Sequence, residues 1–282
     1  MHTLSIVIPS KNRPVSLYRC LKSLFKENFC FYEVLLSNDS SKKYERVYNQ
    51  IANKFQIKIL KGPNSGIYSN HNFLYRKAKG SHIRIVDDDH TFPNFHFKIC
   101  AKYIDLYPND IISIGEIYPN TEGKIFFPGE LNSRGFSSKP KNFESCSALA
   151  SGSSIFPRKV FDLKIYEIDI YPFGMIWLEY GKRLKKMGFN IKILKDTHVI
   201  HHYMESNRSY NSKSLMLETT FFVMLANNLI YEKKIKNFFF MIYEVCKQIT
   251  IYNFYENLLL FINAYKNFIR IKKKNEIWNF KN

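Results

Sequence analysis

Four short apolar runs occupy the first ninety residues, and each stops abruptly at a polar cluster. Leu4 to Pro9 ends in Ser10-Lys11-Asn12-Arg13-Pro14, and Phe31 to Leu36 ends in Ser37-Asn38-Asp39-Ser40-Ser41. Gln56 to Leu60 runs into Gly62-Pro63-Asn64-Ser65-Gly66, and Ser81 to Val86 runs into Asp87-Asp88-Asp89-His90. Between these runs the apolar spacing turns helical. Leu17, Cys20, Leu21 and Leu24 mark one helix, a more polar one reaches about Ala52, and a third covers Tyr68 to Lys79. Strands alternating with helices predict an α/β fold whose mostly parallel sheet is covered on both faces. In such sheets the ligand crevice forms at strand ends. Asp39 and the acid trio both fall there.

Three adjacent carboxylates repel one another unless a cation or base compensates. Carboxylate oxygens suit Mg²⁺ or Mn²⁺, so Asp87-Asp88-Asp89 predicts a divalent cation that also meets a diphosphate. Past the trio, the spacing predicts a helix from His96 to Leu106. Strands and long loops over the site should fill Ile111 to Phe143, followed by a strand and turn from Ala148 to Phe156. A helix from Met175 to Met187 is closed by Gly188, and a strand from Asn190 to Leu194 leads to Val199-Ile200-His201-His202.

From residue 213 the character changes. Phe221 to Ala226, Phe238 to Tyr243 and Leu258 to Ile262 are apolar and aromatic, broken by Lys and Glu. None reaches the roughly 18 apolar residues that a spanning helix needs. The expected division is a domain over 1–212 and a helical, basic, aromatic region over 213–282. That region would lie on an anionic membrane surface, or pack as a bundle or a homodimer contact. Arg270, Lys272, Lys273 and Lys274 would add attraction to anionic lipid. The formal net charge of +18 fits a phosphorylated substrate, an anionic surface or nucleic acid. With no basic leader or cleavage site after Met1 and five cysteines without Cys-x-x-Cys spacing, the chain reads as cytoplasmic, peripheral at the inner membrane face.

Taken together the motifs resemble the family 2 glycosyltransferases, inverting enzymes of the GT-A fold. Leu4-Ser5-Ile6-Val7-Ile8-Pro9 with Asn12-Arg13 resembles their opening strand and loop, and Glu33 to Ser41 their second strand. Asn64-Ser65-Gly66, Asn72, Ala78 and Gly80 resemble the next stretch, with departures at His71 and Leu74. Asp87-Asp88-Asp89 covers the Asp-x-Asp element, and Gly152 to Arg158 resembles an acceptor-side turn. The likeness implies a GT-A fold with a helical C-terminal extension. It also implies sugar transfer from a UDP-, GDP- or dTDP-linked donor to a glycan or lipid-linked glycan hydroxyl, with Mn²⁺ or Mg²⁺.

The resemblance implies roles as well. Asp39 would bind the base, with Pro9 and Arg13 beside the nucleoside, and Asn64 and Asn72 would touch base or diphosphate. Asp89 would ligate the metal, Asp87 would meet the ribose or sugar and reach the metal through water, Asp88 would border the donor, and His201 would be a third ligand. Inversion by direct displacement needs a carboxylate to take the acceptor's proton. Counting back from Arg183 and Gly188, the usual places for that base hold Ile176 and Trp177. The candidates nearby are Glu179, Asp169 and Glu167. Glu179 also stands one turn from Arg183, the spacing of a helix-surface ion pair.

Two rivals share parts of the pattern. A nucleotidyltransferase would carry a Gly-rich triphosphate loop after its first strand, and Pro9 to Pro14 contains no Gly. A non-catalytic nucleic-acid or anionic-surface binding protein fits the charge but leaves the acid trio unexplained, because carboxylates repel phosphate. The expectation is therefore a donor partner and no nucleic acid.

Overall fold

The computed structural model describes residues 2–203, 213–250, 253–274, 277–278 and 280. Strand β1 (Leu4–Ser10) is buried along its whole length. It pairs in parallel with β2 (Glu33–Asn38) on one side and with β4 (His82–Ile85) on the other, while β3 (Lys58–Lys61) extends the sheet beyond β2. The chain therefore builds outward from β1 in one direction and then restarts on its opposite flank. A crevice opens beyond the strand ends at such a reversal, and here it lies between the loop after β1 and the acids after β4.

The full sheet has eight strands in the order β3-β2-β1-β4-β9-β6-β10-β5. Strands β6 (Ile111–Ile117) and β10 (Ile191–His201) run parallel to each other. Two strands run against their neighbours: β9 (Ile155–Pro157), between β4 and β6, and β5 (His90–Thr91), at the end of β10. Of the strand expected over Ala148 to Phe156, only the last residues join the sheet. The pieces expected at 190–194 and 199–202 are one strand whose register shifts between Leu194 and His198. A small hairpin, β7 (Glu130–Leu131) with β8 (Ser137–Ser138), stands apart.

Helix α1 (Pro14–Leu24) starts with proline in its first turn, where a missing N–H leaves no bond unmade, and buries the expected stripe of Leu17, Cys20, Leu21 and Leu24. With α2 (Glu45–Phe55) and α4 (His96–Leu106) it packs on Ile6, Ile8, Leu36 and Ile114. The opposite face, carrying Val7, Leu35, Ile83 and Ile193, is covered by α3 (Ile67–Lys77), α5 (Lys159–Asp162) and α6 (Ile176–Lys186). Successive strand residues thus point to opposite cores, as the pleat requires.

Helix α7 (Lys213–Ala226) ends in six consecutive buried residues, Phe221 to Ala226. A helix apolar all round is one surrounded by protein. It shares a third core with Tyr68, Ile168, Tyr171, Ile176 and Leu178, and with α8 (Ile235–Thr250) and α9 (Phe254–Lys274). The division expected at 212 falls within 204–212, outside the described residues, and the core on either side is continuous. Among the described residues, no helix is long and apolar enough to cross a membrane.

Candidate active site

The loop after β1 is locked to its neighbour before any ligand arrives. Asn12 adopts a left-handed backbone (φ 58°), which Asn tolerates better than most residues. Its N–H donates to Ser40 Oγ at 2.7 Å, and its Oδ1 accepts the Ser41 N–H at 3.0 Å. Asp39 is pinned in turn, because its Oδ1 accepts the Asn64 N–H at 3.0 Å. Burial raises the Asp39 pKa, partly offset by Asn64, Lys11 and Asn70.

The acid trio divides its labour. Asp88 is buried, accepting from Ser10 Oγ at 2.5 Å and from Arg13 Nη1 at 2.8 Å. Burial pushes its pKa up to about 7 against the pull of Arg13. Asp89 is also buried, takes Arg13 Nη2, and faces His201 Nε2 across 3.4 Å. Burial opposes its charge, but His201, His90 and Arg13 outweigh it and hold the carboxyl below the usual range. Asp87 is the open member: its side chain is 31% exposed and faces the cleft against Gly152.

The antiparallel pairing of β5 with β10 sets His90 opposite His201. His201 Nδ1 and Glu116 Oε2 are 2.8 Å apart, and Glu116 also accepts from the Tyr118 hydroxyl at 3.1 Å. Burial opposes protonation of His201, yet Asp89 and Glu116 together lift its pKa to about 10. Burial lowers the His90 pKa, partly offset by Asp87 and Glu116.

These residues suit a divalent cation. Asp89, His90 and His201 each offer one ligand atom within 4.8 Å of the others. Asp89 Oδ1 and both His90 ring nitrogens are buried without a hydrogen bond. Carboxylate oxygen suits Mg²⁺ or Mn²⁺, and imidazole is an acceptable further ligand for Mn²⁺, less so for Mg²⁺. Glu116 holds His201 by Nδ1 and leaves Nε2 toward Asp89, the outer carboxylate arrangement common around metal-bound histidines. Binding a cation there expels the His201 proton, so affinity should rise with pH by about tenfold per unit. Because the folded value of about 10 lies above the ordinary 6.5, the protonated cluster stabilises the metal-free fold fully below pH 6.5. That contribution fades as pH climbs through 10. Mn²⁺ titration calorimetry across neutral pH tests the first point, and a flat profile would contradict it.

A cleft of about 600 Å³ joins these elements. Its polar lining includes Pro9, Arg13, Asp39, Asn70, the acid trio, Glu116 and His201, and its apolar lining Phe126, Phe127, Phe173, Met175 and Trp177. Gly152 lets the turn before β9 approach closely: a Cβ there would sit 2.0 Å from Asp87 Oδ2. The obstacle is the end of a mobile side chain, so Gly152→Ala should fold normally yet turn Asp87 aside. A loss of about a hundredfold in donor turnover with an unchanged melting curve is expected, on the scale of removing one well-placed polar contact. Full activity in the variant would contradict this placement of Asp87.

Other expected site residues lie elsewhere. Glu179 is fully buried, held by Arg183 Nε at 3.1 Å, the Tyr231 hydroxyl at 2.6 Å and Trp278 Nε1 at 2.8 Å. Glu167 is buried against His71 Nδ1 at 2.8 Å. Asp169 is exposed beside a separate cavity with Arg270 and Lys274. None of the three lines the cleft. Asn72 instead ties α3 to the segment before α6: its amide exchanges two hydrogen bonds with the Glu167 backbone at 2.9 and 3.0 Å. Asn64 supports Asp39 through its backbone and takes Lys11 Nζ at 3.0 Å, without lining the cleft. The residues that the sequence reading missed are Asn70, Glu116 and His90. Glu116 had a readable signal, an acid ending an apolar strand as Asp39 does.

A family model described as Glycosyl transferase family 2 matches residues 5–163. The chain belongs to glycosyl transferase family 2. It is similar to the uncharacterized glycosyltransferase EpsJ of Bacillus subtilis (strain 168), 22% identical over 143 residues, covering 50% of this chain and 42% of EpsJ. It is also similar to the putative colanic acid biosynthesis glycosyl transferase WcaA of Escherichia coli (strain K12), 26% identical over 141 residues, covering 46% of this chain and 50% of WcaA. These matches span half or less of the curated relatives' length. Among solved structures, GalNAc-T7 with UDP, GalNAc and Mn²⁺ superposes with a TM-score of 0.72 at 18% identity, covering 100% of this chain and 56% of that one. S. aureus TarS 1–349 in complex with UDP-GlcNAc gives 0.64 at 17% identity, covering 95% and 81%. At such identities the likeness establishes the fold, and this family 2 member has the GT-A architecture that its first ninety residues implied.

Proposed function

We propose that this chain moves a sugar from a nucleotide-sugar donor to a hydroxyl of a surface glycan or its lipid-linked precursor, by direct displacement with inversion and with Mn²⁺ or Mg²⁺. The observation that carries the reading is the convergence of Arg13, Asp39, the acid trio and His201 on one cleft. Asp39 would accept a hydrogen bond from the base, and Asp87 would meet the ribose or sugar from the open side. Asp89 and His201, with His90 behind them, would hold the cation. When bound, the cation supplies positive charge to the donor's two phosphates as the nucleoside diphosphate departs. Asp88 keeps Arg13 in place, and Arg13 guards the charge balance of the trio while Glu116 fixes the His201 ring. The apolar side chains lining the cleft would pack on the acceptor ring and keep water away from the anomeric carbon.

In the displacement the acceptor oxygen bonds to the anomeric carbon while the bond to the phosphate oxygen breaks. The electron pair leaves with the diphosphate, and the acceptor proton passes to a base. Among the described residues, the carboxylates lining the cleft are Asp39, Asp87, Asp88, Asp89 and Glu116, so a carboxylate base drawn from them belongs to that set. The UDP-GlcNAc held by TarS and the colanic acid role in WcaA's name support a UDP-linked donor and a bacterial surface glycan. Hydrolysis of UDP-, GDP- and dTDP-sugars with Mn²⁺ and with EDTA tests the proposal. One donor should be cleaved in a metal-dependent way; silence across all of them would overturn it.

A further inference from the structure

Helix α8 has two apolar faces. The inner one, with Met241, Val245 and Ile249, is buried in the third core. The outer one repeats Ile235, Phe238, Phe239, Ile242 and Tyr243 at helical spacing, exposed by 78, 40, 64, 41 and 60%. Helix α9 repeats the pattern, burying Asn257, Ala264, Phe268 and Ile271 and exposing Tyr255, Leu259 and Ile262. Ten of the eighteen large hydrophobic side chains exposed among the described residues belong to these two helices. Exposed apolar side chains concentrated on two helices that pack together mark an interaction site.

The exposed charges beside it are nine basic groups and one acid, Glu256. Lys233, Lys234, Lys236, Lys247, Lys266, Arg270, Lys272, Lys273 and Lys274 are all exposed. Glu256 opens α9, where it accepts from Ser214 Oγ and Asn253 Nδ2 at 3.2 Å; Glu232 is paired with Lys182 and Glu244 with Arg134, both partners from outside these helices. A second copy docking here through a two-fold axis would set this basic surface against itself, and like charges facing across an interface are unfavourable. An apolar stripe rimmed by lysines instead matches the boundary between anionic headgroups and acyl chains.

We propose that the outer faces of α8 and α9 dock on an anionic lipid surface. The aromatic and branched side chains enter the headgroup boundary, and the lysines lie over the phosphates. The helices rest on the bilayer without crossing it, in keeping with their lack of a spanning apolar run. This inference is independent of the donor chemistry, so failure of one leaves the other standing.

Sedimentation of the full chain with vesicles of phosphatidylcholine, with and without phosphatidylglycerol, is the test. Binding should require phosphatidylglycerol and weaken with salt. The double variant Phe239→Glu/Ile242→Glu should bind at least about tenfold more weakly, given that each exposed apolar group adds to partitioning. Lys272→Glu/Lys273→Glu should lose most of the salt-sensitive part. UDP binding and the circular dichroism melt should be unchanged in both, because all four side chains are exposed. Absence of binding to anionic vesicles, or variants that bind like the parent, would overturn the proposal. So would a dimer in lipid-free ultracentrifugation that the first variant disperses, which would assign the face to a second copy.

Discussion

Replacing Asp89 with alanine should abolish metal-dependent donor binding and lower sugar transfer by about a thousandfold, the upper range for loss of one preorganised charged group. The fold should survive. Arg13 keeps Asp88 at 2.8 Å, and His201 keeps Glu116 at 2.8 Å, so neither cation is left alone. His201 would lose one of the two carboxylates that raise its pKa, and the value should drop from about 10 toward the ordinary 6.5. Histidine-detected NMR titration reads that change without any substrate. Asp89→Asn keeps the shape and separates charge from packing; it should show the same loss of metal dependence. Transfer within tenfold of the parent in both variants would remove Asp89 from the site.

Glu179→Ala should act on stability instead. The carboxylate lies at 0% exposure among Arg183, Tyr231 and Trp278. Its removal strands a guanidinium that is itself only 2% exposed, and breaking a buried pair in this way costs about 3–5 kcal/mol. The damage reaches the C-terminal helices, because Tyr231 follows α7 and Trp278 follows α9. Urea denaturation should show the loss, while the folded fraction at low temperature should still bind UDP with Mn²⁺. A general base behaves oppositely: its removal leaves the melt alone and strikes the rate. A stable Glu179→Ala protein with selectively lost transfer would restore Glu179 as the base and place an acceptor near α6.

The difference between these two acids shows what the sequence could reveal. Asp39 and Asp89 end apolar strands, and a parallel sheet puts strand ends at the crevice whatever the rest of the chain does. Glu179 sits on a helix, where the four-residue step to Arg183 announces an ion pair but not its depth. Its depth is set by Tyr231 and Trp278, far away in the chain. The same holds for Asn72, whose two bonds to the Glu167 backbone depend on how the segment before α6 crosses α3. His90 was legible only as the residue that follows the trio; its pairing with His201 becomes visible once β5 is seen to turn back along β10. Residues 221–226 read as apolar but not as core, because hydropathy alone does not tell a helix wrapped by protein from one facing lipid. On α8 and α9 the stripe of lysines and aromatics was readable, while the inner face that packs against the domain was not.

On the proposed function, the acids closing β4, with His201 opposite, hold a cation that grips the donor's diphosphate. Calorimetric titration of the parent protein with UDP, in Mn²⁺ and again in EDTA, tests it most directly. The expected result is binding at least about tenfold tighter with the metal, the scale of a cation bridging two phosphates, with that gain absent in Asp89→Ala. Equal UDP affinity in both solutions would contradict the claim.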